Sequence, residues 1–113
     1  MKRVLIGIVG AAVLGLFAST ASAQDTAKGA KVYADQKCSL CHSIAGKGNA
    51  KGALDEVGTK LTAAEIHDWI VKPAEMTAKA KAERKPPMPA KYASLPKEDL
   101  DALVAYLSSL KKK

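Results

Sequence analysis

The chain has 113 residues, with 18 lysine and arginine side chains against 11 aspartate and glutamate side chains, and a formal net charge of +7 at pH 7. This length fits one small domain, and such a domain often needs a staple, a metal or a cofactor to complete its core. Positive charge suits acidic partners, but no basic helix with interleaved aromatic residues is present, which argues against nucleic acid as a partner.

The first 23 residues have the pattern of a secretory signal peptide. Lys2 and Arg3 precede an uncharged apolar run over residues 4–18, and Ala21-Ser22-Ala23 forms a small-x-small cleavage site. The run is shorter than the roughly 20 residues of a spanning helix, and glycines interrupt it, so a retained membrane anchor is the less favoured alternative. We expect cleavage after Ala23, export to the periplasm, and a mature domain over residues 24–113 without a stable anchor.

The first half of the mature chain predicts one helix followed by a loop. Residues 26–36 predict a helix with Ala30, Tyr33 and Ala34 on one face. Residues 38–60 contain four glycines and little periodicity, which is typical of a loop. No segment alternates polar and apolar residues as a strand would.

The second half predicts one clear helix and one short helix or ordered turn. Thr62 and Glu65 form a capping box that opens a helix ending near Lys72. The apolar positions of that helix are Ile66, Trp69 and Ile70. Residues 74–84 contain strong helix formers with a weak apolar stripe, and residues 85–89 are extended because they contain three prolines.

The last helix has the strongest signal. Pro96 suits a first-turn position, and the acidic residues after it favour the positive end of the helix dipole. Apolar residues then recur at helical spacing: Leu100, Leu103, Val104, Leu107 and Leu110. The sequence therefore predicts an all-α domain whose loops carry the chemistry.

The two cysteines of the chain lie in the stretch Cys38-Ser39-Leu40-Cys41-His42. A redox dithiol would sit at a helix start beside a βαβ pattern, and the sequence shows neither. A structural zinc site would need four ligands, and His67 is the one histidine outside the motif that could serve as the fourth. The spacing matches c-type haem attachment, in which Cys38 and Cys41 form thioether links and His42 presents its imidazole to iron. A chemically idle motif is the remaining alternative.

The sequence resembles the small monohaem class I cytochromes c of bacteria over essentially its whole mature part. Gly29 and Tyr33 resemble the glycine and aromatic residue of the family's first helix, and Leu103 and Tyr106 resemble the Leu-x-x-Tyr of its last helix. The stretch from Met88 to Tyr92 is similar to the family's sixth-ligand loop. The resemblance implies an all-α cytochrome c fold, with three to five helices wrapped around one covalently bound haem c.

The resemblance also implies roles around the haem. In many relatives a proline follows a glycine after the motif, and its carbonyl orients the ligand imidazole. Here Ala53 follows Gly52, so the carbonyl of Ala53 or a neighbour is the expected acceptor for His42. The Trp69 indole is a candidate donor to a haem propionate, which is compatible with its alternative interpretation as a core aromatic.

Three residues are candidates for the sixth ligand of the iron. Met88 lies in the extended proline-rich stretch, whose rigid flanks suit a thioether held against iron. Met76 lies on a helical or turn segment, where methionine usually only packs. His67 is one position away from the apolar stripe and is interpreted as a surface residue. Met88 is therefore the predicted ligand.

A haem iron with two protein ligands has no vacant site for a substrate. We therefore expect a one-electron carrier that cycles between Fe(III) and Fe(II), and not an enzyme. One alternative is an open iron site that acts as a small peroxidase or gas sensor, with His67 as its polar group. Another is a docking subunit of a larger respiratory complex, which would need a large apolar patch.

The expected partners are redox proteins with acidic docking surfaces, and the chain itself is expected to be a monomer. Complementary charge speeds encounter more than it tightens a complex. The lysines in segments that could surround the haem edge are Lys37, Lys47, Lys51, Lys79, Lys81, Lys85 and Lys91. For each of them a generally solvated basic surface is the alternative interpretation.

Overall fold

The computed structural model describes residues 25–112, and within them five α-helices account for most of the regular structure. These helices are α1 (residues 25–35), α2 (Val57–Lys60), α3 (Ala63–Val71), α4 (Pro73–Ala80) and α5 (Lys97–Ser108). The predicted all-α fold is confirmed. The predicted signal peptide and its cleavage site lie outside the described residues. Among residues 25–112, no helix is long and apolar enough to cross a membrane.

The segment predicted as a plain loop contains more structure than expected. It includes 3-10 turns at Cys38–Leu40 and Ala50–Gly52. Outside this segment, a 3-10 turn at Ala90–Ser94 precedes α5. The predicted loop also holds a two-residue antiparallel ladder between β1 (Ser43–Ile44) and β2 (Lys47–Gly48). The sequence did not predict this ladder, because two residues per strand are too few to show an alternation.

Local sequence accounts for the junction of α3 and α4. The capping box is confirmed, since Thr62 Oγ1 accepts from the Glu65 amide at 3.2 Å and Glu65 Oε1 accepts from the Thr62 amide at 2.9 Å. Pro73 does more than end α3, because it occupies the first turn of α4, where its missing N–H has no intrahelical partner to lose. The two helices therefore follow each other with Lys72 as the single linking residue.

Helix α1 crosses α5 through one face that includes Gly29 and Tyr33. The Tyr33 and Tyr106 rings meet edge to face, with centroids 6.1 Å apart and planes at 65°. Val32 is buried on the same face, whereas Ala34 is exposed, so Tyr33 is buried together with Val32 and not with Ala34. Residues three and four positions apart lie on the same face of a helix. Val32 and Tyr33 therefore share the face of Gly29, whereas Ala34, five positions after Gly29, does not.

The buried core consists of side chains from α1, α3 and α5. Its apolar members are Val32, Tyr33, Ile66, Ile70, Leu100, Leu103 and Leu107. The predicted stripes of α3 and α5 are confirmed at these positions, while Trp69, Val104 and Leu110 are only partly buried. This small core forms one side of a cleft.

Candidate functional site

A cleft between the core and the loops brings the predicted site residues together. It consists of a cavity of about 240 Å³ on the side of the loops, here called the outer cavity, and a cavity of about 260 Å³ on the side of the core, called the inner cavity. The two cavities share Cys38, His42, Trp69, Met88 and Tyr92 in their walls, so they are parts of one cleft. Together they fall within the roughly 300–1,000 Å³ that ligand pockets occupy. Cys41 lines the outer cavity.

The inner cavity has a wall suited to a large apolar group. Besides the shared residues, its lining includes Leu54, Val57, Leu61, Ile66, Ile70 and Leu103. The outer cavity adds the cations Lys37 and Arg84 to the prolines near Met88. An apolar wall on the core side with two cations on the loop side fits a macrocycle that carries two carboxylates, so the residues present fit a haem.

The Cys38–Leu40 turn sets the directions of the motif side chains. Lys37 precedes it in a left-handed conformation with φ of 57°, and the amides of Cys41 and His42 both donate to the Cys38 carbonyl, at 3.1 and 3.0 Å. This tight turn places both thiols and the imidazole in the cleft wall. Leu40 points outward instead and is 71% exposed. Both cysteines are free and half-buried, and burial raises the pKa of the Cys38 thiol.

The His42 imidazole is oriented by a backbone carbonyl. Its Nδ1 lies 2.9 Å from the Gly52 oxygen, so a ring protonated at Nδ1 donates to that carbonyl and leaves Nε2 available for a metal. Burial lowers the pKa of His42, the Gly52 hydrogen bond opposes this effect, and the Arg84 charge adds to the lowering. The expected carbonyl partner thus proves to be Gly52, the neighbour of Ala53.

The structure separates Met88 from the other candidates for the sixth ligand. Met88 is half-buried, packs against the core cluster and lines both cavities. Met76 and His67 line neither cavity. His67 Nδ1 instead lies 3.2 Å from the adjacent Asp68 carboxylate, which agrees with its interpretation as a surface residue.

Three aromatic residues, Trp69, Tyr92 and Tyr33, complete the cleft wall. Trp69 is half-buried and lines both cavities, so it is exposed to any occupant of the cleft. Tyr92 also lines both cavities, and its hydroxyl donates to the carbonyl oxygen of Gln36, two residues before the motif, at 3.5 Å. The Tyr33 hydroxyl is buried without a hydrogen-bond partner among the described residues, and burial raises the pKa of Tyr33 to about 12.

Sequence reasoning missed Arg84, which lines the outer cavity with the motif residues. The available signal in the sequence was that Arg84 is the one arginine after Arg3. The zinc alternative finds no support in geometry, since among residues 25–112 no three His, Cys, Asp or Glu side chains come together as a metal-ion site.

Comparison with known proteins gives one match. A scan against family models matches the Cytochrome c model over residues 26–111. The search of curated proteins and the search of solved structures returned no match. The matched range includes every residue that lines the cleft.

Proposed function

Because the chain belongs to the cytochrome c family, whose members carry covalently attached haem c and transfer electrons, we propose that it is a periplasmic one-electron carrier with His42 and Met88 as axial ligands. The family makes it an electron-transfer protein and not an enzyme. The observation that carries the ligand proposal is that His42 and Met88 line the same two adjoining cavities. Cys38 and Cys41 are the thioether sites.

The residues of the cleft would suit rapid electron exchange in distinct ways. When bound, the haem supplies an iron that changes oxidation state. His42 is held in one orientation by Gly52, and the thioether of Met88 would be a soft ligand that raises the reduction potential relative to a second nitrogen. The apolar wall excludes water, so both oxidation states would keep the same ligands with little rearrangement. Trp69 is the proposed donor to a propionate.

Export rests on the leader. Residues 1–23 combine a basic start, an apolar run and the Ala21-Ser22-Ala23 site, and haem attachment to such motifs takes place outside the cytoplasm. The proposed mature protein therefore begins at Gln24.

These proposals are tested together on protein taken from the periplasmic fraction. We expect an intact mass equal to residues 24–113 plus one haem, a reversible one-electron redox titration, and no change of the reduced spectrum under carbon monoxide. Ready binding of carbon monoxide would show an open iron site and favour the peroxidase or gas-sensor alternative. Full-length mass in the membrane fraction would contradict the export proposal.

The cations around the motif support a docking face for an acidic redox partner. Lys37 lines the outer cavity, β2 with Lys47 packs on the Cys38–Leu40 turn, and the Lys91 Nζ lies 5.3 Å from the centre of the Tyr92 ring. Among residues 25–112, these three lysines form no ion pair, whereas Lys28, Lys72, Lys79 and Lys97 do. Three unpaired positive charges therefore lie in segments that contact the motif or the cleft wall.

Neutralising this face should slow association with an acidic surface. For the triple variant Lys37→Gln, Lys47→Gln, Lys91→Gln, we expect the rate of electron transfer at a carboxylate-coated electrode to fall by about tenfold at low salt. The difference from the wild type should shrink at high salt, because salt screens the charges. The control is Lys72→Gln, Lys79→Gln, Lys97→Gln, which removes the same charge from paired sites. Equal losses in both variants would mean that only net charge matters and would refute a localised docking face.

A further inference from the structure

The segment that carries Met88 is weakly held by its own backbone. Within the described residues 25–112, no hydrogen bond or ion pair involves residues 83–89. Three of these residues are prolines and have no N–H to donate. Segments with few backbone hydrogen bonds open at a low free-energy cost. Side-chain contacts therefore decide how firmly Met88 stays in the cleft.

One such contact joins this segment to the loop of His42. A Cβ atom added to Gly52 would collide with Arg84 Nη1 and with the Cys41 carbonyl oxygen, and it would lie 2.9 Å from His42 Nδ1. The φ angle of Gly52 is not positive, since the positive values among described glycines belong to Gly46 and Gly48. Glycine is thus required at residue 52 by the space that these three groups share.

The groups around this space suit each other chemically. The Gly52 carbonyl is already engaged with the His42 ring, whereas no hydrogen bond to the Cys41 carbonyl is found among the described residues. Arg84 Nη1 and the Cys41 carbonyl oxygen border the same space beside Gly52. The guanidinium has five N–H donors in a rigid plane, an arrangement that lysine cannot reproduce. A small movement of the guanidinium would complete a hydrogen bond between the two segments.

We propose that Arg84 is a positioning residue that fastens the Met88 segment to the His42 loop through the space at Gly52. It thereby keeps the Met88 thioether in place against external ligands that compete for the iron. The proposal rests on the proposed His42 and Met88 ligation. Arg84 itself does not bind the iron.

The test is a titration of the oxidised holoprotein with imidazole, in which the loss of the near-infrared sulfur-to-iron band measures imidazole binding. We expect Arg84→Gln to bind imidazole about tenfold more tightly than the wild type, since one charge-assisted contact is of that order. Arg84→Lys should recover only part of the difference. The control, Lys85→Gln, removes a neighbouring charge from the same segment and should bind imidazole as the wild type does.

The measurement separates this proposal from its premise. Wild-type imidazole affinity in Arg84→Gln would overturn the role of Arg84 while leaving the ligation intact, as would a lower free energy of unfolding with no change of imidazole affinity. Equal gains in Arg84→Gln and Lys85→Gln would also overturn it, because charge alone would then explain the effect. A wild-type protein without the sulfur-to-iron band would overturn both the ligation and the fastening.

Discussion

A variant with Cys38→Ser and Cys41→Ser is expected to carry no covalently attached haem and to lose cooperative unfolding. Among residues 25–112, the connected apolar cluster has seven buried side chains, and the adjoining cleft lies beside them with the motif and Met88 in its wall. Domains of this size have roughly 5–15 kcal/mol of stability, and loss of the group that fills such a cleft can remove all of it. Haem staining after denaturing electrophoresis and thermal melting by circular dichroism measure the two effects.

The matched control for the double variant is Ser39→Ala. This residue lies between the cysteines and is exposed, so its replacement should leave both haem attachment and the melting transition unchanged. If the double variant lacked haem but had the wild-type free energy of unfolding, the protein core would be stable without haem. That result would contradict the claim that the group in the cleft stabilises the fold.

The second large effect is expected at the crossing of α1 and α5. The Gly29→Ala variant should lose about 2–3 kcal/mol of unfolding free energy, because the added Cβ meets the Ala102 carbonyl oxygen and lies 2.5 Å from Tyr106 Cβ. One of these obstacles is backbone, so α5 as a whole must shift. An ordinary glycine-to-alanine change within a helix stabilises it by about 0.5–1 kcal/mol, so the sign of the effect is diagnostic.

Denaturant unfolding of the holoprotein measures the Gly29 effect, with Lys31→Ala as the control on the exposed face of α1. The control should stay within about 0.5 kcal/mol of the wild type, as surface substitutions usually do. A Gly29→Ala protein as stable as the wild type, or more stable, would show that the two helices are not held in this close contact.

Those parts of the fold that depend on local sequence could be predicted. The capping box of Thr62 and Glu65 and the leucine stripe of α5 both involve residues within one or two helical turns, so their pattern is visible without tertiary contacts. The ladder of β1 and β2 could not be predicted in this way. It depends on a turn in which Ala45 and Gly46 both have positive φ, and alanine gives no signal for that conformation.

The same distinction between local sequence and tertiary contacts applies to the candidate site. The motif identifies Cys38, Cys41 and His42 because their chemistry is encoded by spacing within five residues. The Gly52 carbonyl and the Arg84 guanidinium meet His42 from loops 10 and 42 residues away, and such contacts leave no periodic trace. Met88 lay between these cases, since its proline-rich flanks made it the favoured ligand but only the fold places it beside the motif.

The most direct test of the central proposal is the near-infrared absorption of the oxidised protein, compared among the wild type, Met88→Ala and Met76→Ala. Ligation by His42 and Met88 predicts a weak sulfur-to-iron band in the wild type that persists in Met76→Ala and vanishes in Met88→Ala, together with a lower reduction potential in that variant. A band that survives in Met88→Ala and disappears in Met76→Ala would contradict the proposed ligation.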